Sequence, residues 1–246
     1  MIKTEWEKIR RNLLPYIILC CIPIAINSLL VFDLHFRYSY LLNQKDDLGF
    51  TYWQLIFKEQ NIFMINQFIP LIATMFVFLV FYVETKYNGW INLRLYSSDV
   101  NRIIVSKFVI TSLFVVSMII ISCITIIPVG RITGVTTPVE WELFAIVFFT
   151  LVMSGIATSS VAFLIISFAS KSINVITISC FLFLLSSILQ NVDQKIMVML
   201  NPFSFATLCY TQDWQDVLIH LFITGGWVLI CLFICMRRME HRKELV

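Results

Sequence analysis

Residues 84–107 read ETKYNGWINLRLYSSDVNRIIVSK, a long polar stretch held between two apolar runs. Those runs, 62–83 and 108–128, each approach the roughly 20 apolar residues needed to cross a bilayer as a helix. A hydrophilic stretch between two such runs reads as a loop returned to one side of a membrane. Working outward, four further runs of this kind appear, at about 13–32, 143–169, 174–190 and 217–236. The expected fold is therefore an all-α membrane protein with six transmembrane helices, one domain spanning 1–246.

Composition agrees. Apolar residues make up 59% of the chain and charged residues 13%, with a mean hydropathy of +0.86. Soluble domains are near half apolar and a quarter charged, so the bilayer must solvate much of this surface. The first run lacks a small-residue cleavage site and is read as a retained span. The N-terminus, 84–107, 170–173 and the C-terminus together hold thirteen of the eighteen Lys and Arg residues. Lys and Arg accumulate in cytoplasmic segments, so both termini are expected in the cytoplasm. The opposite side holds nine of the fifteen carboxylates. The net charge of +3 is thus a topological signal, and nucleic-acid binding is not expected.

Residues 1–12 place Ile2, Trp6 and Ile9 on one helical face and Lys3, Glu7 and Arg10 on the other. This pattern predicts an amphipathic helix lying at the interface, with Trp6 as anchor. The segments 33–61 and 191–216 are expected outside. The first is read with a short surface helix near 51–60 and interfacial aromatics, the second as either a re-entrant element around 196–200 or a surface hairpin. In the fourth run, Ser154, Gly155, Ala157, Thr158, Ser159 and Ser160 form a small, hydroxylated face. Such a face packs helices closely or lines a translocation path through Ser154, Thr158 and Ser159, and both readings stand open. Six of the seven cysteines lie in apolar runs as small hydrophobes, while Cys209 is placed in an external loop without a partner. No metal site is expected.

The chain has no Gly-x-x-x-x-Gly-Lys-Ser/Thr run, no His-Glu-x-x-His and no Gly-x-Ser-x-Gly. It has no P-loop with which to bind ATP. Its apolar runs are nearly free of charge, which argues against an ion-coupled carrier and against a channel with a charged ring. If the chain moves anything, the motor must be a separate molecule, and 84–107 reads either as its docking place or as a solvated loop with Trp90 lying on the membrane. Asn88-Gly89 signals a turn. Trp90, Ile91 and Leu95 offer a short apolar surface, and Ile91 and Leu95 share a helical face. Ser97 to Asp99 suits a helix start leading through Arg102 to Lys107. A short amphipathic helix of this kind seats in a groove of a soluble partner.

The order Glu84, Gly89, Leu93 or Leu95, Arg102, Lys107 resembles the Glu…Gly…Leu…Arg…Lys pattern after the second span of ABC-2-type transporter permeases. Glu5, Lys8 and Arg11 resemble their Glu-x-x-Lys-x-x-Arg opening, and Gln67-Phe68-Ile69-Pro70 also fits. With Trp90 close behind Glu84, the chain is most similar to the permeases of lantibiotic (bacteriocin) immunity transporters. Tyr96-Ser97-Ser98 stands where such permeases often have Leu-Pro-x-Ser/Thr.

The resemblance implies a multi-pass subunit of a bacterial cytoplasmic membrane, paired with a second permease half, identical or related. ATP and Mg would be held by a cytoplasmic ABC ATPase, and the cargo would be an amphipathic peptide taken from the membrane. Trp90, Ile91 and Leu95 would seat in the ATPase, with Glu84, Arg94 and Arg102 at its rim and Gly89 and Lys107 flanking. Glu5, Trp6, Lys8 and Ile9 would brace the helix at the membrane lipid. The alternative reading is a membrane scaffold or sensor that binds a partner without transport.

Overall fold

A computed structural model describes residues 2–10, 12–62, 65–86, 100–169, 173–189, 200–211 and 213–244. Helix α1 is Ile2–Arg10 and α2 is Leu14–Leu48. They are followed by α3 (Tyr52–Ile62), α4 (Ile65–Lys86) and α5 (Val100–Ile132). Next come α6 (Trp141–Phe168), α7 (Ile173–Leu189), a 3-10 helix over Phe205–Thr211, and α8 (Trp214–Glu244). Among the described residues there is no strand. Among the described residues, four helices are long and apolar enough to cross a membrane: Leu14–Arg37, Val100–Ile132, Trp141–Phe168 and Trp214–Glu240. Phe68–Tyr82 and Ile173–Ile188 are shorter apolar helices.

Helix α6 is the axis of the bundle. Of its most apolar stretch 72% is buried, against 28% for α2 and 22% for α8. The small residues make this possible. A Cβ added at Gly155 would fall 2.4 Å from Val115 Cγ1, so α5 approaches α6 closely only because no side chain stands there. The outer helices instead expose Leu29, Phe32 and Phe36 on α2, and Phe222 and Leu229 on α8. Such faces are stable where lipid replaces water.

The segment 33–61 departs most from expectation. It is largely helical, because α2 continues to Leu48 instead of ending near residue 32. Its short helix, α3, is not a surface element. Thr51 and Gln54 cap it reciprocally, Thr51 N donating to Gln54 Oε1 at 3.0 Å and Gln54 N to Thr51 Oγ1 at 3.2 Å. Trp53 and Phe57, one turn apart, are then fully buried and both meet Phe144 edge-on. The Trp53 indole N–H donates to the Pro138 carbonyl at 2.8 Å. Its six-membered ring fills the space left by Gly130, where a Cβ would lie 2.6 Å away. The link between α5 and α6 turns at Gly134, whose φ of 95° is left-handed backbone that glycine adopts without strain. Arg131 braces that turn through the carbonyls of Val135 and Thr137.

Cys209 is also corrected: it is buried in the 3-10 helix, not displayed in a loop. Its segment folds into the bundle with Phe203, Phe205 and Ala206. Ser154 Oγ donates to the Pro202 carbonyl at 3.0 Å, and the Trp227 indole donates to the Leu200 carbonyl at 3.0 Å. These two bonds tie the irregular backbone to the bundle. The proposed re-entrant centre, 196–199, lies outside the described residues.

Candidate functional site

The stretch 84–107 begins in the last turn of α4 and ends within the first two turns of α5. Gly89, Trp90, Ile91, Arg94 and Leu95 lie outside the described residues. The frame that holds this stretch is described. Glu84 sits in the last turn of α4, Arg102 is exposed on α5, and Lys107 is fully buried.

Lys107 meets α1. Its Nζ lies 2.6 Å from Glu5 Oε2, with both side chains almost wholly removed from solvent. The same Nζ is 3.5 Å from the Val80 carbonyl and stands over the Phe81 ring at 5.5 Å. Three elements meet here: α1, the end of α4 and the start of α5. The buried face of α1 is centred on Glu5 and Ile9, one turn apart, while Trp6 is 38% exposed at its margin. Of the expected apolar face through Ile2, Trp6 and Ile9, Ile9 is buried and Trp6 stands at the margin, with Glu5 beside Ile9 on the buried side. The cause is Lys107: an ammonium inside the bundle requires a carboxylate, and Glu5 supplies it. Lys8 lies on the same helix. Trp6 stacks on Phe114 with centroids 5.7 Å apart, and Phe114 stacks in turn on Phe76 of α4 at 5.4 Å. Phe114 is two turns beyond Lys107, so the adjacent residues Glu5 and Trp6 of α1 engage two levels of α5.

The remaining helices close around the same end. Asn101 Nδ2 donates to Glu240 Oε1 at 2.5 Å, which brings the tail of α8 to the head of α5. Arg238 covers the Phe168 ring at 3.9 Å, adding the end of α6. Lys3, Arg10, Arg102, Arg237 and Arg238 are exposed around this frame.

The hydroxylated face of α6 is buried. Ser154, Thr158 and Ser159 are all at 0% exposure. Beyond the Ser154 contact to Pro202, their hydroxyls turn back on the helix. Thr158 donates to the Ser154 carbonyl at 2.8 Å, and Ser159 to the Gly155 carbonyl at 2.7 Å. A cavity of about 370 Å³ adjoins this helix, lined by Val161, Leu182, Leu185, Pro202 and Trp227. At its polar edge Asn201 donates to Ser186 Oγ at 2.7 Å.

At the opposite end, α3 buries a second carboxylate that the sequence reading passed over. Glu59 is at 0% exposure, with Oε2 3.4 Å from Arg37 Nη1; Oε1 has no hydrogen-bond partner among the described residues. Burial raises its carboxyl above the ordinary 4.5, more than Arg37 lowers it. Burial likewise pushes the Tyr210 phenol up, with Cys209 and Glu59 adding to the effect. Gln60, next in the chain, donates to Asn27 Oδ1 at 3.1 Å, and Asn27 Nδ2 donates to Thr125 Oγ1 at 2.5 Å. The helical spacing of Trp53, Ile56, Phe57 and Gln60 was the available sign that this helix is inside. Among the described residues, no three of His, Cys, Asp and Glu gather as metal ligands would.

A protein-family model, described as ABC-2 family transporter protein, matches residues 1–190. No curated protein and no solved structure matches the chain.

Proposed function

The chain belongs to the ABC-2 transporter family, and from that premise we propose that it is the membrane half of an ATP-driven exporter. The family match over residues 1–190 carries the reading. The absence of a P-loop and the charge-poor apolar helices support it. Six spans then cross the membrane, with the short apolar helices Phe68–Tyr82 and Ile173–Ile188 completing the four longer ones. Both termini and 84–107 face the cytoplasm. The partner ATPase binds ATP and Mg, and a second permease half faces this one.

Trp90, Ile91 and Leu95 seat in the ATPase, with Glu84, Arg94 and Arg102 at its rim and Gly89 supplying the turn. Lys107, buried against Glu5, holds the frame and does not reach the partner. Closure of the ATPase pair on ATP moves α4 and α5 together, an alternating-access step. The apolar cavity beside α6 suits an amphipathic cargo such as a lantibiotic-type peptide. The back-bonded hydroxyls of Thr158 and Ser159 favour the packing reading of that face over a path lining.

The test is affinity purification from the native membrane. A P-loop protein should accompany the wild-type chain and be lost with Trp90→Ala or Leu95→Asp. A chain purified at full yield with no nucleotide-binding partner would overturn the reading. Resistance of cells to a panel of membrane-active peptides, with and without the gene, identifies the cargo class.

A further inference from the structure

We infer that the Glu5–Lys107 ion pair is a positioning device: it clamps α1 onto both helices that carry the docking stretch, so that the three move as one body. This rests on the permease reading above and deepens it. The pair is 2.6 Å long and buried on both sides. A buried ion pair is a poor source of stability, because desolvation offsets most of its attraction and an apolar pair serves as well. What it supplies is a fixed register. The ammonium is held from three directions, by the Glu5 carboxylate, the Val80 carbonyl and the Phe81 ring face. Each is a partner for a cation and none for an anion. The Trp6–Phe114–Phe76 stack makes a second contact across the same three helices, from the neighbouring residue of α1 to a point two turns further along α5. These two contacts, one ionic and one aromatic, leave α1 on sides about 100° apart and reach different levels of α5, which opposes rotation of α1. A displacement of the docking stretch by the ATPase therefore reaches the helix at the membrane surface undiminished.

The experiment uses the full chain purified with its ATPase and reconstituted in vesicles. Co-purification and cargo-stimulated ATP hydrolysis of the wild type are read first; their absence sinks the permease reading itself. With both present, the paired variant Glu5→Leu with Lys107→Met should retain yield and ATPase association, yet lose at least ten-fold in stimulated hydrolysis. Spin labels at Arg10 and Arg102 should keep one sharp separation with and without ATP in the wild type, and a broadened one in the paired variant. Wild-type hydrolysis and a sharp separation in that variant would overturn the positioning role while leaving the permease reading standing. Should the paired variant not be recovered, Glu5→Gln decides: it keeps an acceptor for Lys107 but removes the charge. The role predicts a clear fall in stimulated hydrolysis, and unchanged hydrolysis overturns it.

Discussion

Adding one methyl group at Gly155 should unlock the centre of the bundle. Its Cβ would stand 2.4 Å from Val115 Cγ1 and 3.6 Å from Ile69 Cγ2. The second distance is ordinary contact. The first is about 1 Å shorter than carbon atoms tolerate. Val115 is fully buried and, being β-branched, has little freedom to swing that methyl aside. Helix α5 must therefore withdraw from α6, an overpacking that costs about 1–3 kcal/mol. Val115→Ala alone removes two methyl groups, worth about 1.6 kcal/mol by the usual measure and less in lipid, where only packing is lost. In the double variant the new methyl enters the space the valine vacates. Gly155→Ala with Val115→Ala should then be about as stable as Val115→Ala alone, a coupling of at least ~1 kcal/mol. Equilibrium unfolding in mixed micelles, followed by tryptophan fluorescence, reads all four corners of this cycle. Penalties that add to within about 0.5 kcal/mol, or a Gly155→Ala protein with the wild-type midpoint, would refute the close approach of the two helices.

Other outcomes follow from the same structure. Gly130→Ala should cost about 1–3 kcal/mol because Trp53 ring carbons lie 2.6 and 2.7 Å from the added methyl; Trp53→Phe, which deletes those carbons, should relieve part of that penalty in the same assay. Glu59 has a folded-state carboxyl raised above the ordinary 4.5, so its protonated form favours folding. That contribution is full below 4.5 and is lost as pH rises through the raised value. Glu59→Gln should accordingly raise the thermal midpoint at neutral pH and flatten its rise on acidification, whereas a lowered midpoint would show that the Arg37 pair dominates. In a cysteine-free background, Thr136→Cys should react with an impermeant thiol reagent added to whole cells and Arg102→Cys should not; inverted labelling would reverse the topology.

The physical reasons why some features were legible in the sequence are local ones. Apolar length alone marks α5, α6 and α8, because a helix that must satisfy its backbone in lipid has no other way to be built. The small-residue run in α6 reads as either a packing face or a path lining, and at Gly155 a Cβ would fall 2.4 Å from Val115 of α5. Helix α3 was misjudged in depth. Its aromatics were read by type, as interfacial anchors, although their spacing places Trp53 and Phe57 on a single buried face. The end of α2 was missed because polar residues 43–47 resemble a loop, and a helix projecting beyond the bilayer is free to carry them.

The candidate site was legible by composition but not by pairing. Glu5 and Lys107 were each picked out separately, 102 positions apart. Nothing in a single sequence joins a carboxylate in the first helix to a lysine near the head of a distant one; only packing α1 against α5 does so. Hydrophobic spacing grouped Ile2, Trp6 and Ile9 on one face, and only the pairing places Glu5 beside Ile9 on the buried side.

The central claim is that this membrane protein takes its force from a separate ATPase through residues 87–99. A photo-crosslinking amino acid at position 90, activated in living cells, tests it most directly. The predicted result is one dominant adduct with a protein carrying a Gly-x-x-x-x-Gly-Lys-Ser/Thr motif, strengthened when ATP hydrolysis is blocked. Adducts with phospholipid alone, at a position active enough to label, would contradict it.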